Sequence, residues 1–472
     1  MLLTVDIGTS TFKSAIWNFN GKLLSSFFIP LTVKSGGEKH EADPSLWLNA
    51  FENSLKQLLI KAKLKNLKNI EAVVISGNGP SLVPVLGIPE NKTRLHVPAK
   101  DARLWLDRRA VNYQKSVSDV MGGFVDSCFF LPKILFIKNE ENELYDKTKC
   151  FIGCPEYLAY ALTGEAKTVF PCEGFDRWFW NNGALNSLGL DQEKFPDFIQ
   201  PGDRFGMISG DVCDLLGFAH NTPVISGGPD FFAAILGSGV TKPQEACDRS
   251  GSSEGINLCT KNRITDNKLM SYRHPVRPFW NLSGTINTAG KAIEWGTGLF
   301  GFSDFDDFIK SAKNSKTGSG GLVFNPYLAG ERAPIWNPSA RANWSGINLS
   351  SARNDFANSI LEGVCFAVKD VINVMEGTGE KINELRVTGK LSNCGYLNQI
   401  KADITGIKVI TAANKEAELS GLAVIGAVSL GKYSSYKEAS SKIVKTDKIY
   451  EPEIKNSDIY NNLFIKYLQK KE

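Results

Sequence analysis

Two carboxylates stand beside glycine-bounded turns, and around the first of them the neighbours are small enough to let a phosphate reach the backbone. Asp6 closes the apolar opening of the chain and meets Gly8, with Thr9, Ser10 and Thr11 around the turn and Lys13 just beyond. A carboxylate next to free backbone N–H groups, hydroxyls and a lysine can hold a metal-bound polyphosphate. An ordinary hairpin whose Asp accepts hydrogen bonds from its own turn is the competing reading. Asp230 lies in PVISGGPDFFAAILGSG (Pro223 to Gly239), where a strand over Val224 to Ser226 runs into Gly227-Gly228-Pro229 and a helix starts close to the Asp. Its carboxylate therefore sits at the C-terminal end of a strand, the place where open α/β sheets bind ligands. Asp also serves commonly as a helix N-cap. The roles are compatible, because a carboxylate at a helix start keeps its charge and can still accept a proton from a hydroxyl.

Aromatic and charged residues mix in RLWLDRR (Arg103 to Arg109), which suits a ring face stacking on a sugar while charged partners meet its hydroxyls. A buried ion pair beside a packed Trp is the alternative. EAKTVFPCEGFDRWFWNNG (Glu165 to Gly183) is again aromatic and irregular, and reads as a substrate-side insertion.

The elements that carry these residues follow from periodicity. Apolar residues before Gly8 and alternation from Phe12 to Phe19 predict a β-hairpin, and Asn20-Gly21 supplies the backbone chemistry of a second one. Leu48, Phe51, Leu55, Leu58, Leu59 and Ala62 fall at helical spacing within Pro44 to Ala62, and Ile70 to Ser76 reads as a buried strand. Alternating strand and helix predict an α/β fold. CDRSGSSEGINLC (Cys247 to Cys259) repeats the opening pattern around Gly251-Ser252-Ser253, which implies an internal duplication and a cleft between the halves. A long helix is predicted from Ser351 to Met375, a strand from Glu384 to Gly389, a short helix ending near Gly406, a strand from Ile407 to Ala412 and a helix from Glu416 to Leu430. The lysine-rich tail from Lys437 onward reads as a solvated surface helix or loop.

Composition narrows the function classes. The 472 residues call for two or three domains, and 54 Lys plus Arg against 50 Asp plus Glu leave no basic field for nucleic acid. No apolar run reaches the length of a membrane-spanning helix, and the N-terminus enters a strand without a basic leader, so a soluble cytoplasmic protein is expected. Nine scattered cysteines without a CxxC read as reduced core residues, and four dispersed histidines argue against zinc. GTGLFG (Gly296 to Gly301) follows helix-like residues rather than a strand, so the dinucleotide-binding context fails; Gly284 to Ala292 lacks both the spacing and the Ser or Thr of a phosphate loop.

Taken in order, the segments DIGTSTFK (Asp6 to Lys13), LWLDRR (Leu104 to Arg109), LTG (Leu162 to Gly164), SGGPDFFAAILGSG (Ser226 to Gly239), SGSS (Ser250 to Ser253), PYLAGERAPIWNPSAR (Pro326 to Arg341), LEGVCFAVKDV (Leu361 to Val371) and ADITG (Ala402 to Gly406) resemble the FGGY carbohydrate kinases of the actin/hexokinase ATPase superfamily. The resemblance spans nearly the whole chain and is nearest to the xylulose kinases. It implies two ribonuclease H-like (actin-like ATPase) domains around a central cleft, an N-terminal sugar-binding domain over 1–243 and a C-terminal nucleotide-binding domain over 244–472 with a helical tail. It implies phosphoryl transfer from ATP, with Mg²⁺, to a small sugar such as a ketopentose, Asp230 acting as the catalytic base and Asp6 organising the metal. Thr9, Ser10, Thr11 and Lys13 fall on the first phosphate hairpin, Gly251, Ser252 and Ser253 on the second; Gly290, Gly389, Lys390 and Asn393 fall where the family cradles the nucleotide. Asn78, Gly79, Pro80, Trp105, Asp107, Arg108, Asp230 and Phe231 fall on the sugar side. Similar proteins are often homodimers, and no residue here demonstrates one.

The departures from the family pattern are local. Lys390 and Leu391 replace glycines near Gly389 and could crowd an adenine, SGNGPS (Ser76 to Ser81) replaces the Met-His-Gly of xylulose kinases, PCEGFD (Pro171 to Asp176) replaces an Asp/Ser-rich segment, and the last helix reads SGLA at Ser420 to Ala423. A kinase-fold protein that binds sugar or nucleotide without turnover is the alternative these departures motivate, and the retained Asp230 argues against it. A chaperone-like ATPase of the same superfamily would need a peptide-binding domain for which no length remains.

Overall fold

The computed structural model describes residues 1–87 and 95–470 of the chain. Its opening hairpin forms as the residues dictate. The fully buried strand β1 (Leu2–Ile7) turns at Gly8, whose amide donates to the Thr11 carbonyl at 3.0 Å; a Cβ at Gly8 would lie 2.8 Å from that oxygen, so the turn needs glycine. Strand β2 (Thr11–Trp17) pairs back antiparallel, and Gly21, at φ +81°, turns the chain into β3 (Leu23–Pro30). Strand β4 (Ala72–Gly77) then lies parallel to β1 on its other side. Beyond it come β5 (Arg204–Met207) and β6 (Pro223–Pro229), giving the order β3-β2-β1-β4-β6-β5 with β6 parallel to β4 and β5 antiparallel at the edge.

One face of this sheet, with Leu3, Val5, Ile7, Val73 and Ile75, builds a core against helix α1 (Pro44–Ala62). That helix has the predicted bounds, buries Trp47, Leu48, Phe51, Leu55 and Leu58, and is capped by Asp43, whose carboxylate accepts from the Ser45 amide at 2.9 Å. Helices α2 (Phe130–Glu140), α3 (Cys154–Thr163) and α4 (Asp230–Ser238) complete the part that matters for the site.

The second sheet repeats the plan. Strands β7 (Glu245–Ser250), β8 (Glu254–Thr260), β9 (Met270–Arg273), β10 (Trp280–Ile286), β11 (Glu384–Thr388), β12 (Val409–Ala412) and β13 (Thr446–Tyr450) run in the order β9-β10-β8-β7-β11-β12-β13. From β10 to β12 the pairings are antiparallel, antiparallel, parallel and parallel, as they are from β3 to β6, and an antiparallel strand closes each series. The duplication read from two hairpins is thus a repeat of the whole sheet topology. Helices α5 (Gly290–Leu299), α6 (Arg353–Gly377) and α7 (Gly395–Thr405) follow, and α6 buries Ile360, Val364, Val368, Val371 and Met375 in a second core.

Two expectations change. The chain forms two compact units, Met1–Gly237 with Glu418–Ile443, and Ser238–Ala417 with Val444–Glu472, so a single cut between 243 and 244 is too simple. Helix α8 (Ala417–Ser429) and helix α9 (Tyr436–Ile443) return to the first unit because α8 is glycine-notched: a Cβ at Gly421 would lie 1.8 Å from the Ala233 carbonyl, and one at Gly426 2.6 Å from Val74. The tail is also more than solvated surface. Strand β13 extends the second sheet, and α10 (Ile454–Gln469) buries Tyr460, Leu463, Phe464 and Tyr467 at i, i+3, i+4, i+7 beneath its lysines.

Candidate functional site

In the first unit the functional residues gather at the C-terminal ends of three adjacent parallel strands. Register sets Asp6 opposite Ser76 and Ile7 opposite Gly77, while Gly77 faces Pro229 across the next ladder. Asp6, Asn78 and Asp230 therefore share one edge of one sheet, and β1 and β6 lie two strand spacings apart, about 10 Å. Asp6 is only 3% exposed, and its cross-strand partner on β2 is Lys13, whose Nζ reaches Oε2 of Glu418 at the start of α8 at 3.4 Å. Thr9, Ser10 and Thr11 form the tip of this hairpin, and Thr9 Oγ1 accepts from Trp105 Nε1 at 3.0 Å. Asp230 is the first residue of α4 rather than the residue before it, and its Oδ1 accepts the Phe231 amide at 2.5 Å.

Beside this edge lies a pocket of about 470 Å³, counting its mouth, lined by Gly77, Asn78, Gly79, Pro80 and Ser81, by Gly153 to Glu156 at the start of α3, by Phe130, Val169, Pro171, Trp178 and Phe179, and by Gly228 and Pro229. Asp230 follows directly on the last of these. Phe231 does not line the pocket; it stacks on Phe175 (5.4 Å between centroids), which meets Trp178 edge-on at 4.9 Å. The aromatic segment read as a substrate-side insertion thus supplies one wall.

RLWLDRR divides. Trp105 is half-exposed against Thr9, but Asp107 is 1% exposed in an ion pair with Arg109 at 2.7 Å, and Arg109 also binds Glu41 at 2.6 Å. Burial works against the Asp107 charge, yet hydrogen bonds from Arg109 and from the His40 amide hold its carboxyl below the usual range. This is the buried-pair alternative: Asp107 braces the segment and is not among the residues that line the pocket. Arg108 is exposed and paired with Asp126.

Three groups escaped the sequence reading. Lys133 on α2 is fully buried and donates to the carbonyls of Pro80 (2.9 Å), Arg103 (3.2 Å) and Leu104 (2.7 Å), tying the pocket loop to the RLWLDRR segment; burial pushes it down to about 7. Its only signal was a lysine inside the apolar run FLPKILFI. Glu156, at the third position of α3, accepts the Val169 amide at 3.1 Å, and burial pushes its carboxyl up to about 7. Cys154 is buried in the pocket wall, where its Sγ accepts from Asn78 Nδ2 at 3.7 Å.

In the second unit the hairpin Gly251-Ser252-Ser253 receives the start of α5: Gly290 N donates to the Gly251 carbonyl at 2.9 Å, and Ala289 and Lys291 donate to the Ser252 carbonyl. A Cβ at Gly290 would lie 2.5 Å from the Gly251 carbonyl oxygen, and one at Gly389, held at φ +80°, 2.6 Å from that of Ser250. Three backbones therefore meet at one end of the second sheet with no room for side chains, the form of a cradle for a phosphate chain. Glu331 of the GER motif braces it, accepting the amides of Asn287 (2.6 Å) and Arg332 (2.8 Å). Leu391, expected near an adenine, is instead buried in the second core; Lys390 is exposed, and its carbonyl accepts from Asn393 Nδ2 at 3.2 Å.

Comparison with known proteins agrees with both halves. Residues 1–237 match the N-terminal domain of the FGGY family of carbohydrate kinases and residues 249–430 its C-terminal domain. A xylulose kinase of Staphylococcus epidermidis is 25% identical over 99% of this chain and 95% of its own length. Among solved structures, the gluconate kinase of Lactobacillus acidophilus superposes with a TM-score of 0.85 at 22% identity, covering 99% of this chain and 96% of its own. The ligand-bound xylulose kinase of the same organism gives 0.84 at 22% identity over 99% and 97%. Among the described residues no helix is long and apolar enough to cross a membrane. With one sheet plan repeated in two units, and both family domains matched in order along one chain, this protein belongs to the FGGY family of carbohydrate kinases and phosphorylates a small-molecule sugar at the expense of ATP.

Proposed function

We propose that the sugar lies in the pocket between residues 77–81 and the start of α3, and that Asp230 takes the proton from the attacking hydroxyl as the γ-phosphoryl group is transferred. The observation that carries this reading is the position of Asp230, one residue beyond the pocket wall at Pro229 and on the same sheet edge as Asp6. A base must come within about 2.6–3.2 Å of the hydroxyl it serves. The Phe231 amide bonded to Oδ1 fixes the carboxylate's orientation.

Asp6 with the hydroxyls of the first hairpin fits Mg²⁺, a hard cation that takes one or two carboxylates and keeps several waters. Bound there, Mg²⁺ would neutralise charge on the phosphate oxygens. In the first unit Lys13, Thr9, Ser10 and Thr11 would hold phosphate oxygens, and in the second the close-packed backbones at Gly251, Gly290 and Gly389 have the form of a phosphate cradle. Trp105, bonded to Thr9, couples the sugar side to that hairpin. The names of the relatives support a ketopentose such as xylulose, or an aldonate such as gluconate, as acceptor, and dependence on ATP fits a cytoplasmic enzyme.

The test is ADP release with ATP and Mg²⁺ over a panel of ketoses, aldoses, polyols and aldonates. Sugar-dependent turnover that disappears in Asp230→Asn is expected. Saturable sugar binding without turnover on any acceptor would overturn the catalytic reading.

A further inference from the structure

The pocket has unusually few polar groups left to read a sugar with. Asn78 and Ser81 line it, but Asn78 Nδ2 donates to the Ile7 carbonyl at 2.9 Å and to Cys154 Sγ, and Asn78 Oδ1 accepts from Ser81 Oγ. Most of the remaining wall is proline, glycine and aromatic ring: Pro155, Pro171, Trp178 and Phe179 among them. Among the described residues no Lys, Arg or His lines it. Glu156 differs from its polar neighbours. It is 6% exposed, its Oε1 is held by the Val169 amide, and its Oε2 is buried without a hydrogen-bond partner. Gly153, also in the wall, makes room for it, since a Cβ there would lie 2.2 Å from Oε2. A buried carboxyl oxygen left unbonded costs free energy that a hydroxyl brought by a ligand would recover. The nearby Lys133 offers no counter-charge to an acidic ligand, for its Nζ is spent on three carbonyls behind the Pro80 loop.

We infer that the acceptor is a neutral sugar that turns an apolar C–H face to Trp178 and Phe179 and gives one hydroxyl, other than the one phosphorylated, to Glu156, and that aldonates are rejected. This rests on the pocket's assignment to the sugar in the proposed function. An aldonate would bring a second carboxylate into an apolar site whose described lining offers no cation to pair with it, and such a charge is costly to bury. The raised proton affinity of Glu156 agrees, because near neutral pH its carboxyl can both donate to and accept from a hydroxyl. One hydrogen bond then separates the right sugar from its deoxy analogue, and a site built around a buried polar group discriminates strongly against a ligand that lacks its partner.

The experiment uses the full chain with ATP and Mg²⁺ and compares ketopentoses, their monodeoxy analogues and gluconate. The wild type is expected to prefer a neutral sugar over gluconate by about 100-fold or more in kcat/KM. In Glu156→Leu the preferred sugar should lose about 10-fold or more, mainly through KM, while one monodeoxy analogue changes by less than about 3-fold. Glu156→Gln keeps an oxygen for the Val169 amide and puts an N–H donor where Oε2 stood, and serves if the leucine variant fails to fold; it should still bind the parent sugar and still prefer it to that analogue, and equal binding of the two overturns the inference. Gluconate as the best wild-type acceptor overturns the inference, and so does an equal loss for the parent and every analogue. If no acceptor is turned over, the kinase reading falls by itself, and calorimetry on the same ligands decides this one: neutral sugar bound and gluconate not supports it, and any other pattern overturns it.

Discussion

The two hairpins are copies in topology and opposites in charge. Two residues before its glycine the first carries Asp6, nearly buried, and the second carries Arg249. The first hairpin's lysine, Lys13, is partly exposed and meets Glu418 loosely at 3.4 Å. Beneath the second, Lys401 of α7 is buried between Asp248 and Glu254 on the two flanking strands, and all three are almost wholly out of water. Burial and the neighbouring Glu254 push the Asp248 carboxyl well above its usual range; Lys401 is raised, because two carboxylates outweigh the burial that works against its charge. The same β-turn-β piece has therefore been set to two tasks. In the first unit the lysine lies partly exposed beside the hairpin; in the second a lysine is locked under the turn between two buried carboxylates.

The sharpest break of that comparison is Asp230→Asn. The amide oxygen can still accept from Phe231, so the fold should stand, while kcat falls by about 10²–10⁴, the usual worth of a general base, with sugar affinity retained in calorimetry. No copy of Asp230 is required in the second unit, and removing its buried charges should fail differently. Lys401→Met leaves two buried carboxylates without their cation and is expected to cost about 3–5 kcal/mol in urea unfolding. Lys13→Met, its counterpart at the first hairpin, should cost no more than about 1 kcal/mol because that pair is partly exposed. Equal losses from the two lysines would erase the distinction between a partly exposed charge and a locked one. A smaller effect is expected for Gly290→Ala, where the new Cβ meets the Gly251 carbonyl: KM for ATP should rise by about 10-fold or more, with sugar binding unchanged.

How much of this was legible follows from how local each signal is. The hairpins, α1 and the two carboxylates could be read because a glycine, its small neighbours and one misplaced Asp lie within a few residues of each other. The buried lysines could not. Lys133 and Lys401 look like ordinary surface residues until three carbonyls or two carboxylates arrive from distant segments. Glu156 reads as the acidic first turn of a helix, and its pocket depends on residues 77–81 and 169–179. A departure from a family's glycine says nothing of which way the new side chain turns, and Leu391 turns into the core. Asp107 was a matter of register with Glu41 and Arg109, and the return of α8 to the first sheet depends on contacts at Gly421 and Gly426 that no composition shift announces.

The smallest expected effect asks where the first unit keeps a proton. Glu156 binds its proton up to about pH 7 when folded and up to about 4.5 in its ordinary state, so between those values the folded chain holds a proton that the unfolded chain has released. Stability must then fall as pH rises through that window, on the order of 1 kcal/mol per pH unit for one group. Glu331 of the second unit, likewise pushed up to about 7 by burial, adds a slope of the same sign. Asp107 adds none there, because its lowered carboxyl is charged in both states throughout the window and is lost as a source of stability only at more acid pH. Urea unfolding at pH 5, 6 and 7 should show Glu156→Gln removing one group's share of the slope and Glu331→Gln removing another, with saturating neutral sugar changing the first share and not the second. A slope untouched by Glu156→Gln would mean that the pocket carboxyl is already ionised at pH 5 and that its desolvation is relieved in some other way.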